Sequence, residues 1–299
     1  MIFFQAILPL FVLMGMGYLL GRTRGSDPGS LSDVCIYILI PILMFASLVR
    51  APLSGVAFLQ VAVWTFGLVF VHWLGASLVG RLLGWDRPTT SAITLTLSSV
   101  NTASYGLPIA LFAFGDQALP VASLLVVLNN ISHSSFSVYF AAGGRQSPLG
   151  SFVSIFRLPL IYAVLLALSL NLLHIGLPDW LVEVALLVGK AGPQVAVVVL
   201  GVQLSSLCLG GVGASHLAAG VVARSVVGPA FGIGLTVLLG AEGIVRDVLL
   251  LYSCLPAAIS SLLLAVAHGS RPNLVGAIIL YSTLLSPITI TVLLVLIGS

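Results

Sequence analysis

The chain has 299 residues, of which 59% are apolar and 6% charged, and a net charge of +3. A soluble domain carries roughly 25% charged residues, so this composition, with a mean hydropathy of +1.21, excludes an ordinary soluble protein and points to a polytopic helical membrane protein. The arginines are scattered over the loops, which argues against a nucleic-acid partner, and the long continuous apolar runs argue against a membrane β-barrel.

A membrane-spanning helix needs roughly 20 mostly apolar residues. Ten stretches qualify: 2–20, 32–49, 56–80, 89–114, 117–140, 158–176, 180–203, 214–239, 245–267 and 273–297. The first lacks a basic n-region and a clear cleavage site, so it is read as a span and not a removable signal. Gly17 and Gly21, Gly80 and Gly84, and Gly228 and Gly232 have the spacing that allows close helix contact, expected to ease sliding between domains. In the third span His72 is expected to be a packing residue.

The fourth span contains SSVNTASYGLPIALFAFG, Ser98 to Gly115, which is poor helix material. Asn101, Thr102, Ser104 and Tyr105 are polar, Gly106 is flexible, and Pro108 lacks an amide hydrogen and clashes with the carbonyl one turn back. A second break is expected at Tyr252-Ser253-Cys254-Leu255-Pro256, followed by Ser260 and Ser261. Irregular backbone at membrane depth is tolerated only where protein buries it or it lines a wet cavity. Paired broken helices in corresponding halves point to a transporter's binding site.

The fifth span carries Asn129, Asn130 and His133, with His133 on a helix face shared with both asparagines. A polar cluster in lipid must face the bundle interior, where it contacts substrate or ties helices together. Lys190 and Arg224 each lie about ten residues into a span, roughly 15 Å deep at 1.5 Å per residue. Lys190 is a candidate for attracting an anion, or for pairing with a carbonyl freed by Pro193; Arg224 is expected to anchor its helix toward the cytoplasm. Glu242 and Asp247 are expected in solvent. Cys35, Cys208 and Cys254 fall in or at the ends of apolar runs, so no disulfide is expected.

Seven arginines, Arg22, Arg24, Arg81, Arg87, Arg145, Arg157 and Arg271, fall on one side of the ten-span arrangement and two, Arg50 and Arg246, on the other. The richer side should be cytoplasmic, which puts both termini outside the cell membrane and the connection 141–157 inside. The prolines pair across the chain: Pro9 with Pro159, Pro41 with Pro193 and Pro108 with Pro256 are 150, 152 and 148 residues apart. Five spans per half is odd, so residues 1–140 and 158–299 would form an inverted repeat.

The NTASYGLP pattern of Asn101 to Pro108, with its apolar half-helix to Gly115, resembles the fourth span of the auxin efflux carrier family. The stretch LPAAISSLLLAVAHGSRPNLVGAIILYSTLLSPITI from Leu255 resembles that family's last two spans. The second span, LSDVCIYILIPILMFASL, and the Asn129-Asn130 pair fit as well. The resemblance implies an all-α fold related to the bile acid:sodium symporters, with ten spans. Spans one, two, six and seven would form a scaffold; spans three to five and eight to ten would form a core transport domain, in which broken spans four and nine cross. It implies small organic anions as substrates, auxin or small carboxylates, and suggests a homodimer. The long loop of the long plant carriers is lacking.

Half-helices starting near Pro108 and Pro256 would aim their positive ends at the crossing point, which favours a carboxylate without a buried cation. The candidate substrate-binding residues are Asn101, Ser104, Tyr105, Asn129, Asn130, His133, Lys190, Ser253 and Ser260, with Gly106, Pro108 and Pro256 at the crossover. The leading expectation is an exporter of small organic anions, driven by membrane potential and using no cofactor or metal. A sodium- or proton-coupled symporter is the alternative, His133 keeping the proton in play. A channel, and an intramembrane enzyme, which finds no HExxH motif or paired mid-span carboxylates here, are less favoured.

Overall fold

The computed structural model describes residues 7–25, 27, 29–51, 54–133, 159–207 and 211–297. The connection expected at 141–157, the end of the fifth span, the start of the first, Arg145, Arg157 and Cys208 lie outside the described residues.

The described chain is helical. In order run α1 (Leu8–Arg24), α2 (Gly29–Val34), a π turn (Cys35–Leu39), α3 (Ile40–Leu48), α4 (Gly55–Leu82), α5 (Arg87–Ser98), a second π turn (Thr102–Gly106), α6 (Leu107–Phe114), a 3₁₀ turn (Asp116–Ala118) and α7 (Leu119–Ser132). After the undescribed connection come α8 (Pro159–Leu172), α9 (Asp179–Gly189), α10 (Ala191–Ser205), α11 (Ala214–Val222), a third π turn (Ala223–Val227), α12 (Gly228–Leu238), α13 (Gly243–Ser253), α14 (Ser260–His268) and α15 (Pro272–Ile297). Among the described residues five helical stretches are long and apolar enough to cross a membrane: Gly29–Leu48, Gly55–Leu82, Asp179–Ser205, Ala214–Leu238 and Pro272–Ile297. Thr102–Phe114 and Pro159–Leu172 are shorter apolar helices.

Local chemistry sets many of the ends. The Ser54 hydroxyl accepts from the Ala57 amide at 3.1 Å and starts α4. Asp86 does the same for α5, accepting from Thr89 N at 3.1 Å; hydrogen bonds from Thr89 and then Arg271 hold its carboxyl below the usual carboxylate range. Gly25, at φ 58, stops α1 in a left-handed conformation that suits glycine.

Each π turn ends two residues before a proline: Leu39 before Pro41, Gly106 before Pro108 and Val227 before Pro229. A proline ring clashes with the carbonyl four residues back. Widening the helix by one residue there moves that carbonyl aside, so the chain keeps turning where α-geometry would break.

The helices pack in two groups that also touch each other, α3 against α7 and α10 against the second π turn. α1 lies along α10, and α3 is flanked by α8 and α9. In the other group α4 packs on α5, α7 and α12, α12 on α13, and α15 on α5, α11 and α14. The spaced glycines act within these groups. A Cβ at Gly17 would lie 2.1 Å from Val198 O and one at Gly21 2.2 Å from Ser205 Oγ, which sets the approach of α1 to α10. Gly80 meets Thr90 on α5, and Gly232 meets Ser253 on α13. Trp64 ties α4 to α12, its indole donating to Gly232 O at 3.1 Å and Thr236 Oγ1 at 3.0 Å. His72 is buried, edge-on to Phe231.

Gly201 faces α1 with the least room: a Cβ there would stand 2.0 Å from Met14 O. Main chain cannot yield as a side-chain tip can, so Gly201→Ala should cost about 1–3 kcal/mol by overpacking. Thermal unfolding in detergent should show a lowered Tm for Gly201→Ala and none for Gly75→Ala, where nothing lies within 4 Å.

Candidate functional site: the crossing of two interrupted helices

α5 stops at Ser98, and the next three residues leave helical geometry, with Ser99 at φ −104, ψ 105 and Asn101 at φ −76, ψ 72. α13 stops at Ser253, and helix resumes at Ser260. The two gaps lie against each other. Val100 pairs antiparallel with Ala257. Ala258 N donates to Ser99 O at 2.9 Å, and Asn101 N donates to Pro256 O at 3.0 Å. Each break thus supplies the other with the backbone partners that lipid withholds.

The first break lies at Ser99–Asn101, not at Pro108. Pro108 stands two residues past the second π turn, in a helix that runs on from Thr102 to Phe114. Pro256 does lie in the second break, offering only its carbonyl. Gly106 lets the chains approach: a Cβ there would stand 2.5 Å from Leu255 Cδ1 and 3.0 Å from the Tyr252 ring.

Arg224 is the group that closes the crossing, and the expectation that it reaches toward the cytoplasm is overturned. The third π turn carries it inward, where it is 1% exposed. Its Nε donates to Leu255 O at 2.9 Å, Nη1 to Leu97 O at 3.0 Å, and Nη2 to Ser253 O at 3.0 Å and Leu255 O at 2.6 Å. Leu97 and Ser253 end α5 and α13, where helix dipoles concentrate negative charge, and Leu255 lies in the second gap. Among the described residues no carboxylate forms an ion pair with Arg224. The signal available in the sequence was its depth and the proline five residues on.

Asn101, Asn129 and His133 gather at the crossing. Asn101 is buried, and its side chain makes no capping bond to the turn that follows. Asn129 Nδ2 donates to Val100 O at 3.2 Å. His133 Nδ1 meets Ser99 Oγ, and its ring also meets the Ser260 main chain, so one imidazole touches both breaks. Ser260 is exposed at the start of α14.

Ser104 and Asn130 face a cavity of about 220 Å³ between the helix groups. Ser32 and Gln203, which the sequence did not single out, are its other polar side chains besides the Cys35 thiol; they mark the ends of apolar runs and looked like helix boundaries. Ser32 Oγ is buried without a partner. Asn130 Nδ2 donates to Val126 O at 2.7 Å. Ile36, Val126, Leu160 and Val199 supply the apolar wall, and among the described residues no charged side chain lines the cavity. At roughly 30 Å³ per water this space holds on the order of seven waters. Larger hollows of about 290 and 590 Å³ lie around His216 and Arg271, away from the breaks.

The other candidates are placed elsewhere. Tyr105 is buried, with its hydroxyl 2.6 Å from Ser286 Oγ and its ring edge-on to Phe11. Ser253 donates back to Leu250 O at 2.5 Å. Lys190 caps α9 and pairs with Asp116, its Nζ 2.7 Å from Oδ2.

The model of a family described as membrane transport protein matches residues 2–148 and 149–294. An uncharacterized transporter of Methanothermobacter thermautotrophicus is 28% identical over 296 residues, covering 96% of this chain and 95% of its own. An uncharacterized transporter of Methanocaldococcus jannaschii is 24% identical over 311 residues, covering 97% of each chain.

Arg224→Met would leave the carbonyls of Leu97, Ser253 and Leu255 without this donor, at about 1–3 kcal/mol for each buried group left unpaired. Arg224→Lys keeps the charge but not the planar fork. Unfolding in detergent should rank wild type above Arg224→Lys above Arg224→Met, and an unchanged Tm for the Met variant would contradict the clamp.

Proposed function

We propose that this chain, which belongs to the auxin efflux carrier family of membrane transport proteins, is a secondary carrier of small organic anions, carboxylates above all, working by alternating access. The observation that carries this reading is the pair of interrupted helices beside a largely apolar cavity into which the neutral polar side chains of Ser32, Ser104, Asn130 and Gln203 are set. Helix N-termini after the two breaks, at Thr102 and Ser260, present positive dipole ends to an anion. Neutral donors hold a carboxylate without trapping it, as a carrier requires.

In this reading the chain forms ten spans as two inverted halves. α1, α2–α3, α8 and α9–α10 are the scaffold; the remaining helices are the transport body, with Asn101, Asn129 and His133 on its working face. The arginine-rich ends face the cytoplasm of a cell membrane and both termini face away. A membrane potential contributes about 2.3 kcal/mol per charge for each 100 mV, which drives a monoanion outward unaided.

Arg224 supports independence from sodium. Discontinuous-helix carriers use unwound carbonyls and half-helix C-terminal ends to coordinate a coupling cation. Here carbonyls of that kind already bind a tethered guanidinium. His133, in contact with both breaks, favours proton coupling as the second reading.

Purified protein in sodium-free proteoliposomes should exchange a radiolabelled small carboxylate, malonate or malate, in saturable counterflow. A strict need for sodium would replace this reading with the symporter, and a proton gradient that drives accumulation would favour the second. Asn101→Ala should keep the wild-type Tm and lose transport by about 10- to 100-fold, the scale of one hydrogen bond to a charged group. Wild-type counterflow by that variant would remove Asn101 from the site.

A further inference from the structure

The seam between the two helix groups is fastened at one end and hollow at the other. α5 enters from the arginine-rich end and α6 runs on past the crossing, so Asp116, just beyond α6, lies toward the opposite end. α9 starts at that opposite end, where Arg50 pairs with Asp179 at 2.7 Å, and Lys190 caps its other end. Lys190 Nζ and Asp116 Oδ2 meet at 2.7 Å. A second polar link, Ser47 Oγ to Ser123 Oγ at 3.0 Å, joins α3 to α7 toward the same end. The cavity lies on the other half, between Ser32 at the start of one scaffold span and Gln203 at the end of another.

Among the described residues the ion pairs are Arg50–Asp179, Lys190–Asp116, Arg246–Asp247 and Arg271–Asp86. Only Lys190–Asp116 joins one group to the other. Its side chains are 35% and 63% exposed, so water can replace each partner and the pair can open at modest cost. Gly115, at φ 72, turns the chain at the end of α6 to present Asp116, and Lys190 stands where α9 gives way to α10.

We infer that the Lys190–Asp116 ion pair is a latch, holding the seam shut on the side away from the arginine-rich ends while the cavity is open toward them, and parting in each transport cycle. This rests on the carrier reading and on its division into scaffold and transport body. The latch favours one of two states by its own strength, so weakening it shifts their populations without touching the binding groups.

The test places a reporter in the cavity and reverses the charges. Ser104→Cys protein, in membrane vesicles of both orientations, is treated with a membrane-impermeant maleimide, and labelling of that cysteine is read by peptide mass. The parent should label mainly from the arginine-rich face. Adding Lys190→Asp or Asp116→Lys, each of which sets like charges together, should shift the ratio toward the opposite face by about fivefold, the scale of one exposed pair. The double swap should restore the parent ratio, a coupling that independent effects of two substitutions would not give. Asp116→Asn should shift it the same way by less, and serves if a charge reversal fails to fold. One ratio shared by all the variants would overturn the latch and leave the carrier reading intact. A parent labelled from neither face would overturn the two-body reading and the latch with it.

Discussion

Two helices that stop in the middle of a membrane protein bring four dipole ends to one place, and Arg224 decides how they are arranged. The carbonyl ends of α5 and α13 face each other, negative against negative, with acceptors that lipid cannot satisfy. Four hydrogen bonds from one guanidinium join them. An unpaired buried charge is costly in itself; here the acceptors are fixed dipoles, and the fork of Arg224 reaches three residues at once. With the negative ends occupied, the positive dipole ends of the two resuming helices make up the other half of the crossing. The fold and the proposed anion site are thus two sides of the same electrostatic arrangement.

The π turns tie this arrangement to the sequence. Each accommodates a proline two residues later, and each also aims a side chain. The first directs Cys35 and Ile36 to the cavity, the second Ala103 and Ser104, and the third Arg224 to the carbonyls. An α-turn at any of these places would rotate those side chains away by most of a quadrant or more, since each residue advances a helix by roughly 100°. The prolines act less as breakers than as spacers that select a wider turn.

Much of this was legible in sequence and part was not. The helical membrane class followed from composition, and the neighbourhood of both breaks from Asn101, Pro256 and the residues around them. The position of the first break did not follow, because Pro108 was given the interruption that Ser99 to Asn101 make; no local rule states that a π turn absorbs the proline. Asn129 and His133 both meet the first break, as side chains on one helix face can, because helical spacing is a local property. Arg224 was misread because its acceptors lie some 30 and 127 residues away in the chain. Ser32 and Gln203 looked like ordinary helix boundaries, and only the meeting of distant helices makes them neighbours of Ser104. Lys190 was noticed for its depth, while its partner Asp116 passed as a loop carboxylate.

The exchange of backbone bonds between the breaks bears on how such a chain is made. Asn101 N finds its acceptor at Pro256, and Ser99 O its donor at Ala258. When the first of these segments leaves the ribosome, roughly 150 residues remain to be synthesised before the second exists. Throughout that interval its amides and carbonyls have no protein partner of this kind, and open lipid offers none. The early helices must therefore wait in a sheltered or wet environment, at the insertion machinery or the bilayer surface, until the later ones arrive. Assembly of the crossing is in this sense a late event of biosynthesis, and a truncated first half carries an unfinished break.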